Sequence, residues 1–195
     1  MNKCLERYRN PTVWLSIVLA VEITLLAANG CHEVMWAVNG RAGVTAYEQG
    51  KFGEAETHFK QALGMMRSLQ PQQPYILDEL AVLYETQGKY GEAEQLYLQS
   101  LEIREKYRGA EHPEVATSLH NLAEQYEILG QYGKAEELYQ KAIAIREKSP
   151  GPDHLSLAYS LEDYAGLLRK VGREGEAEKI EVRAKVIREA RKKGS

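Results

Sequence analysis

One segment of this chain occurs several times at a constant spacing. Residues 88–97 read GKYGEAEQLY, and residues 130–139 read GQYGKAEELY, 42 positions later. The triplet Ile-Arg-Glu recurs at the same spacing, at residues 103–105, 145–147 and 187–189. An earlier, more divergent copy reads AYEQGKFGEAETHFKQAL. A fixed period of this length predicts similar structural units that stack in sequence order, because one unit cannot bury its apolar face alone.

Each copy has the pattern of two helices. In the third copy, the apolar side chains of PEVATSLHNLAEQYEILG recur every three or four residues, which is typical of an amphipathic helix. Pro113 suits the first position of this helix, and Gly130 suits its end. The following GKAEELYQKAIAIREK predicts a second helix. Small residues such as Ala81 and Ala93 would allow the two antiparallel helices to approach closely, with tyrosines filling the space around them.

The pattern resembles the tetratricopeptide repeat (TPR) family, whose units place small and aromatic residues at fixed positions. The third copy supplies these as Ala123, Tyr126, Gly130, Tyr132, Ala135, Tyr139 and Ala142. The 42-residue unit with AE-LY, IRE and HP resembles the kinesin-light-chain subclass. The resemblance implies an all-α fold, a right-handed α-solenoid of about four helix pairs over residues 39–195. The expected repeats are 39–72, 73–112, 113–154 and 155–191.

Two copies depart from the family pattern. In the fourth copy, Leu168, Glu174 and Glu181 replace the expected aromatic residues, and the last helix is polar around much of its circumference. A terminal repeat needs a solvated outer face, so this copy is predicted to be a cap. In the first copy, Gly43 and Ala46 replace the usual Ala and Tyr.

The first thirty residues predict a membrane-targeting segment. Basic residues precede the apolar run of residues 12–28, and small residues follow it. The ending LLAANGC resembles the lipobox of bacterial lipoprotein signals, which implies lipidation of Cys31 after cleavage. Residues 1–30 are therefore interpreted as a signal peptide or membrane anchor, and 31–38 as a tether. Positive charge before the run places the remainder outside the cytoplasm, at the periplasmic side or surface of a bacterium. The alternative is a soluble intracellular adaptor, or one held by an uncleaved anchor, with the same groove.

No catalytic arrangement is apparent, so the protein is predicted not to be an enzyme, with no cofactor and no metal. The sequence has no glycine-rich phosphate loop, no metal-binding cysteine pair and no nucleophile elbow. His112 and His154 lie in equivalent turns and are interpreted as structural, while His58 and His120 are isolated. The net charge of −3 argues against nucleic acid as a partner.

Function is therefore expected at a surface. The resemblance implies a groove, lined by the first helices, that binds peptides or helices of protein partners. Its positions fall on Tyr47, Tyr75, Asp78, Glu79, Glu85, His120, Asn121, Glu124, Glu127, Tyr159, Glu162 and Asp163. This set is mostly acidic and should favour basic or neutral segments. Charge reversal at Glu85, Glu124 and Glu127 should weaken partner capture. The alternative is that these acids only keep an exposed face soluble.

Overall fold

The computed structural model describes residues 35–66, 71–149 and 154–194, which form helices joined by short turns. The chain divides into two compact units, Met1–Ser68 and Leu69–Ser195. The predicted signal or anchor (residues 1–30) and the lipidation site Cys31 lie outside the described residues. Among the helices that are described, none has both the length and the apolar content needed to cross a bilayer.

The first unit contains helix α1 (35–48) and helix α2 (Phe52–Met65). Phe59 of α2 is completely buried. A Cβ atom added to Gly43 of α1 would lie only 2.5 Å from the Phe59 ring. The glycine that departs from the repeat pattern is thus required by the close approach of this phenylalanine, because a larger residue would collide with it.

The second unit contains six helices. They are α3 (Gln73–Thr86), α4 (Tyr90–Arg108), α5 (Pro113–Ile128), α6 (Tyr132–Lys148), α7 (His154–Lys170) and α8 (Glu174–Gly194). Each helix packs against the next one in the chain, most extensively within the pairs α3–α4, α5–α6 and α7–α8. The all-α prediction and the sequential stacking of helix pairs are confirmed for the described residues of this unit.

Alanine and tyrosine fill the contacts between these helices, as the repeat predicts. Ala123 and Ala135 are completely buried and belong to the same core cluster as Tyr139, whose exposed fraction is 1%. Ala81 and Ala93 form the equivalent cluster with Tyr97 one repeat earlier. Each tyrosine ring therefore lies in the space that two small residues leave between paired helices, and this arrangement holds the paired helices together.

The turn after α5 shows why glycine recurs between paired helices. Gly130 has a φ of +70°, a left-handed conformation that other residues adopt only with strain. In this conformation the amide of Gln131 donates a hydrogen bond to the carbonyl of Tyr126, with an N···O distance of 2.8 Å. The bond satisfies a carbonyl that the end of the helix leaves free. The predicted end of this helix at Gly130 is confirmed.

Candidate partner-binding site

The predicted groove residues of the second unit lie on the first helix of each pair. They are Tyr75, Asp78, Glu79 and Glu85 on α3, His120, Asn121, Glu124 and Glu127 on α5, and Tyr159, Glu162 and Asp163 on α7. Contacts across α3, α5 and α7 join these positions into one surface, which we call the α3–α5–α7 face. Tyr47 belongs to α1 in the first unit, where its ring centroid lies 5.7 Å from that of Phe52.

A cavity of about 310 Å³ opens on this face between α5 and α7. It is lined by Glu124, Glu127, Ile128, Tyr139, Glu162, Asp163, Gly166 and Lys170. Four of these side chains are carboxylates, and one is a lysine. Tyr139 comes from α6 and is almost completely buried, so its ring closes the floor of the cavity. The strongest concentration of negative charge among the predicted groove residues is therefore found beside a recess that can accept a side chain.

At the start of the α3–α5–α7 face, a buried arginine neutralises the predicted groove residue Asp78. Arg104 of α4 lies 2.7 Å from a carboxylate oxygen of Asp78, and its side chain is only 2% exposed. The guanidinium also lies over the ring of Tyr75, 5.3 Å from the centroid. Burial raises the pKa of Asp78, and the nearby guanidinium opposes that shift. Asp78 therefore belongs to an internal ion pair.

The same arrangement recurs two repeats later at the surface. Arg188 of α8 donates hydrogen bonds of 2.6 and 2.5 Å to the two carboxylate oxygens of Glu162. Its guanidinium lies 4.5 Å from the ring centroid of Tyr159. Arg104 and Arg188 occupy the middle position of the Ile-Arg-Glu triplets, so the sequence contained the signal for these residues. Their effect is to make the α3–α5–α7 face less acidic than the groove positions alone predict.

Two buried tyrosines donate hydrogen bonds to two of the predicted groove glutamates. Tyr97 donates to Glu85 over 3.3 Å, and Tyr139 donates to Glu127 over 3.1 Å. Lys170 adds an ion pair of 2.6 Å to Glu127. The other oxygen of Glu85 is buried without a hydrogen-bond partner. Burial raises the pKa of Glu85 to about 7, against the hydrogen bond from Tyr97. Both glutamates therefore also serve the packing of their own repeat.

In the last repeat, an arginine–glutamate ion pair replaces this glutamate–tyrosine hydrogen bond, and the acid lies on the second helix. The positions equivalent to Glu127 and Tyr139 are Arg169 and Glu181, and their side chains form an ion pair. Arg169 also lies 2.9 Å from Glu174. The two acidic residues that replace aromatics in the fourth copy are thus partners of one arginine.

The centre of the face joins α5 to α7 through His120. Its Nε2 atom lies 3.2 Å from Asp163 and 3.8 Å from Glu124, and its Nδ1 atom lies 3.0 Å from the hydroxyl of Ser160. Partial burial and the carboxylates of Asp163 and Glu127 raise the pKa of Glu124, whereas His120 opposes this shift. The interpretation of His120 as isolated is wrong, because Asp163 approaches it from the following repeat.

His112 has a structural role at the start of α5. His112 precedes α5, and its Nδ1 atom accepts a hydrogen bond from the amide of Glu114 over 3.2 Å. An acceptor at this position satisfies an amide that the first helical turn leaves free. The interpretation of His112 as part of the turn between repeats is therefore confirmed.

Helix pairs that stack in sequence order define this part of the protein as a helical repeat array. Its sequence matches the tetratricopeptide repeat profile over residues 72–148 and 114–189. The chain belongs to the tetratricopeptide repeat family, whose members are generally protein–protein interaction modules. No curated protein sequence matches the chain significantly.

Solved structures include similar helical arrays. BtubC (BKLC) from P. vanneervenii is similar with a TM-score of 0.76 and 21% identity, covering 83% of this chain and 66% of its own. The nearly identical TPR-like repeats of a candidate kinesin light chain from Podosopora anserina match with a TM-score of 0.67 and 26% identity. The match covers 79% of this chain and 75% of that protein. The apo form of RapI matches with a TM-score of 0.70 and 20% identity. The match covers 90% of this chain and 65% of RapI. Kinesin-light-chain-like repeats are thus among the structural neighbours.

Proposed function

We propose that this protein is a non-enzymatic binding module that holds an extended or helical segment of a partner protein on the α3–α5–α7 face. The observation that carries the proposal is the pair Glu124 and Asp163 beside the cavity. Arg188 neutralises Glu162, and Lys170 neutralises Glu127. The side chain that the structure places against both Glu124 and Asp163 is the imidazole of His120. Negative charge therefore remains at the cavity for a partner to meet.

The chemistry of this recess favours a basic or neutral segment. The side chains of Glu124 and Asp163 are 51% and 42% exposed, so a cation can reach them from solvent. Complementary charge increases the rate of association and disfavours acidic partners. Asn121, on the same helix, matches the asparagine that recurs in the grooves of kinesin-light-chain repeats. In the adjacent repeats Glu79 and Asp163 occupy the equivalent places, so one backbone-binding amide of this kind is expected.

The sharpest test replaces Glu124 and Asp163 and not the glutamates that pack against tyrosine. Peptides selected from a random displayed library on the full chain are expected to be basic or neutral. The variant Glu124→Lys/Asp163→Lys should lower the affinity for a selected, labelled peptide at least tenfold, which is about 1.4 kcal/mol of binding free energy. Fluorescence anisotropy at moderate salt measures this affinity. A chelator is present throughout, so that metal ions do not contribute.

The matched control is Glu102→Lys, a reversal at an exposed position on α4. It changes the net charge in the same direction but is not on the α3–α5–α7 face, and it should leave peptide affinity within twofold. Selection of acidic peptides, or equal binding by the double variant and the wild type, would show that the acids serve only solubility. Circular dichroism before each titration verifies that the variants remain folded.

We further propose that the module is exported and tethered to a membrane through its N-terminal segment. The supporting features are the basic residues before the apolar run, the run itself and the small residues that lead to Cys31. In this proposal Cys31 is diacylated and becomes the new N-terminus, which places the repeats at the periplasmic side or surface of a bacterium. A retained anchor would instead hold an adaptor with the same face inside the cell.

The intact mass of the full-length protein purified from membranes distinguishes these arrangements. Lipidation predicts the loss of residues 1–30 together with a gain of diacylglycerol and acyl mass. Replacing Cys31 by Ser should abolish that gain, and replacing Cys4 by Ser should not alter it. An unmodified full-length mass would contradict export by this route and would favour the anchored adaptor.

A further inference from the structure

Three potential metal-ligand atoms converge at the centre of the α3–α5–α7 face. They are Nε2 of His120 and one carboxylate oxygen each from Glu124 and Asp163, and all three lie within 4.8 Å of one another. His120 and Glu124 are four residues apart and therefore lie on the same side of α5. Asp163 comes from α7 in the next repeat. The arrangement therefore exists only when two repeats stack.

The distances from Nε2 to the two carboxylates can be compared with those of a tetrahedral site. Zinc binds nitrogen and oxygen ligands at about 2.0–2.2 Å, so two ligand atoms of a tetrahedron lie about 3.3 Å apart. The distance from Nε2 to Asp163 is 3.2 Å, and that from Nε2 to Glu124 is 3.8 Å. The glutamate side chain is half exposed, and its carboxylate would have to turn towards Nε2 and Asp163 for all three atoms to reach one metal ion.

The imidazole is held in the orientation that such a site requires. Its Nδ1 atom lies 3.0 Å from the hydroxyl oxygen of Ser160, which is completely buried and also accepts a hydrogen bond from Arg146. A hydroxyl oxygen has two lone pairs, so it can accept from both Arg146 and Nδ1–H. Without a metal ion, Nε2–H can donate to Asp163; with a metal ion bound, the proton would be on Nδ1 and the lone pair of Nε2 would be available to the metal. Metal-binding histidines are commonly oriented through their second nitrogen in this way.

The charges around the three atoms favour a cation. The carboxylates of Glu124 and Asp163 lie beside the imidazole of His120, and Glu127, which is paired with Lys170, adds a third carboxylate nearby. The nearby cation is Arg146, which donates a hydrogen bond to Ser160 and also acts electrostatically on Glu124, so the carboxylates outnumber the guanidinium groups around the site.

We propose that His120, Glu124 and Asp163 bind a divalent transition metal of the zinc type. Three protein ligands leave a fourth position, and Glu124 and Asp163 also line the cavity, so this position faces the recess. The ligand set of one imidazole and two carboxylates suits Zn²⁺ better than Ca²⁺ or Mg²⁺, which need six or more oxygen ligands. The inference goes beyond the proposed binding of a partner, since it is tested with the metal alone.

Isothermal titration of the full chain with ZnCl₂ at neutral pH is the direct test. One Zn²⁺ is expected to bind per chain, with a rise in the thermal midpoint that Ca²⁺ and Mg²⁺ at the same concentration do not produce. His120→Ala and Asp163→Asn should each lower the affinity for Zn²⁺ at least tenfold. Co²⁺ in place of Zn²⁺ should give visible absorption bands that both variants lose, which reports the ligands independently of stability.

Two control variants separate this site from adventitious binding. His58→Gln, in the first unit, and Glu105→Gln, at an exposed position on α4, each remove a residue of a ligand type elsewhere and should leave Zn²⁺ binding unchanged. Equal affinity of wild type, His120→Ala and Asp163→Asn would overturn the proposal. The site would then be an ion pair in which Nε2–H donates to Asp163. Peptide binding in chelator is measured separately, so failure here leaves the proposed function standing.

Discussion

Arg104→Ala is expected to lower the free energy of unfolding by about 3–5 kcal/mol, the cost of removing one partner from a buried ion pair. The side chains of Arg104 and Asp78 are 2% and 13% exposed, so the remaining carboxylate would have little water to replace the guanidinium. The variant also leaves Ser100 and Ser118 without their donor. Urea denaturation followed by circular dichroism measures the loss.

Two comparisons make this prediction specific. Arg104→Met/Asp78→Leu removes both charges and should cost clearly less than Arg104→Ala, because apolar residues of similar volume need no solvation. Arg188→Ala breaks the equivalent pair with Glu162, whose members are 33% and 38% exposed, and should cause no measurable loss. Equal losses in the free energy of unfolding for Arg104→Ala and Arg188→Ala would show that burial of the ion pair does not determine its contribution to stability.

Tyr139→Ala should also destabilise the protein by about 3–5 kcal/mol, the range for removing a buried aromatic ring. The ring is 1% exposed, lies edge-on to His120 with centroids 5.4 Å apart, and packs against Tyr164 at 6.3 Å. Truncation would leave a cavity between α5, α6 and α7 that Ala123 and Ala135 are too small to fill. The midpoint of urea denaturation should fall accordingly.

Two tyrosine variants show which part of the side chain matters. Tyr139→Phe keeps the ring but removes the hydrogen bond to Glu127. It should lower the free energy of unfolding by only about 1 kcal/mol. Tyr132→Ala truncates a tyrosine of the same helix that is 38% exposed, and the loss should be well below that of Tyr139→Ala. Similar losses at both tyrosines would contradict the assignment of Tyr139 as the central packing residue.

The period of 42 residues was sufficient to predict the helices and their pairing. Alanine, tyrosine and glycine recur at positions that local geometry alone explains, since a helix has a fixed rise and a turn with positive φ favours glycine. This is why the end of α5 at Gly130 and the packing of Ala135 against Tyr139 could be predicted from the sequence. The same reasoning did not identify Gly43 as the contact surface for Phe59, because no other copy has that pair.

The candidate site was predicted less completely. The sequence placed Asp78, Glu124 and Glu162 on one face, but it could not show which of them would be neutralised. Arg104 and Arg188 belong to a triplet that is obvious in the sequence, yet their partners lie 26 residues earlier, on the other helix of the pair. Whether the arginine is buried, as Arg104 is, or only partly buried, as Arg188 is, depends on the neighbouring repeat.

The sequence by itself determined the class of this protein, because the repeat fixes which side chains face one another within each helix pair. Only the tertiary structure decided the chemistry of the α3–α5–α7 face. His120 and Asp163 are 43 residues apart, and their 3.2 Å contact arises from the stacking of one repeat on the next. Distances between residues of different repeats depend on how the pairs pack, and the periodicity of one chain does not contain that information.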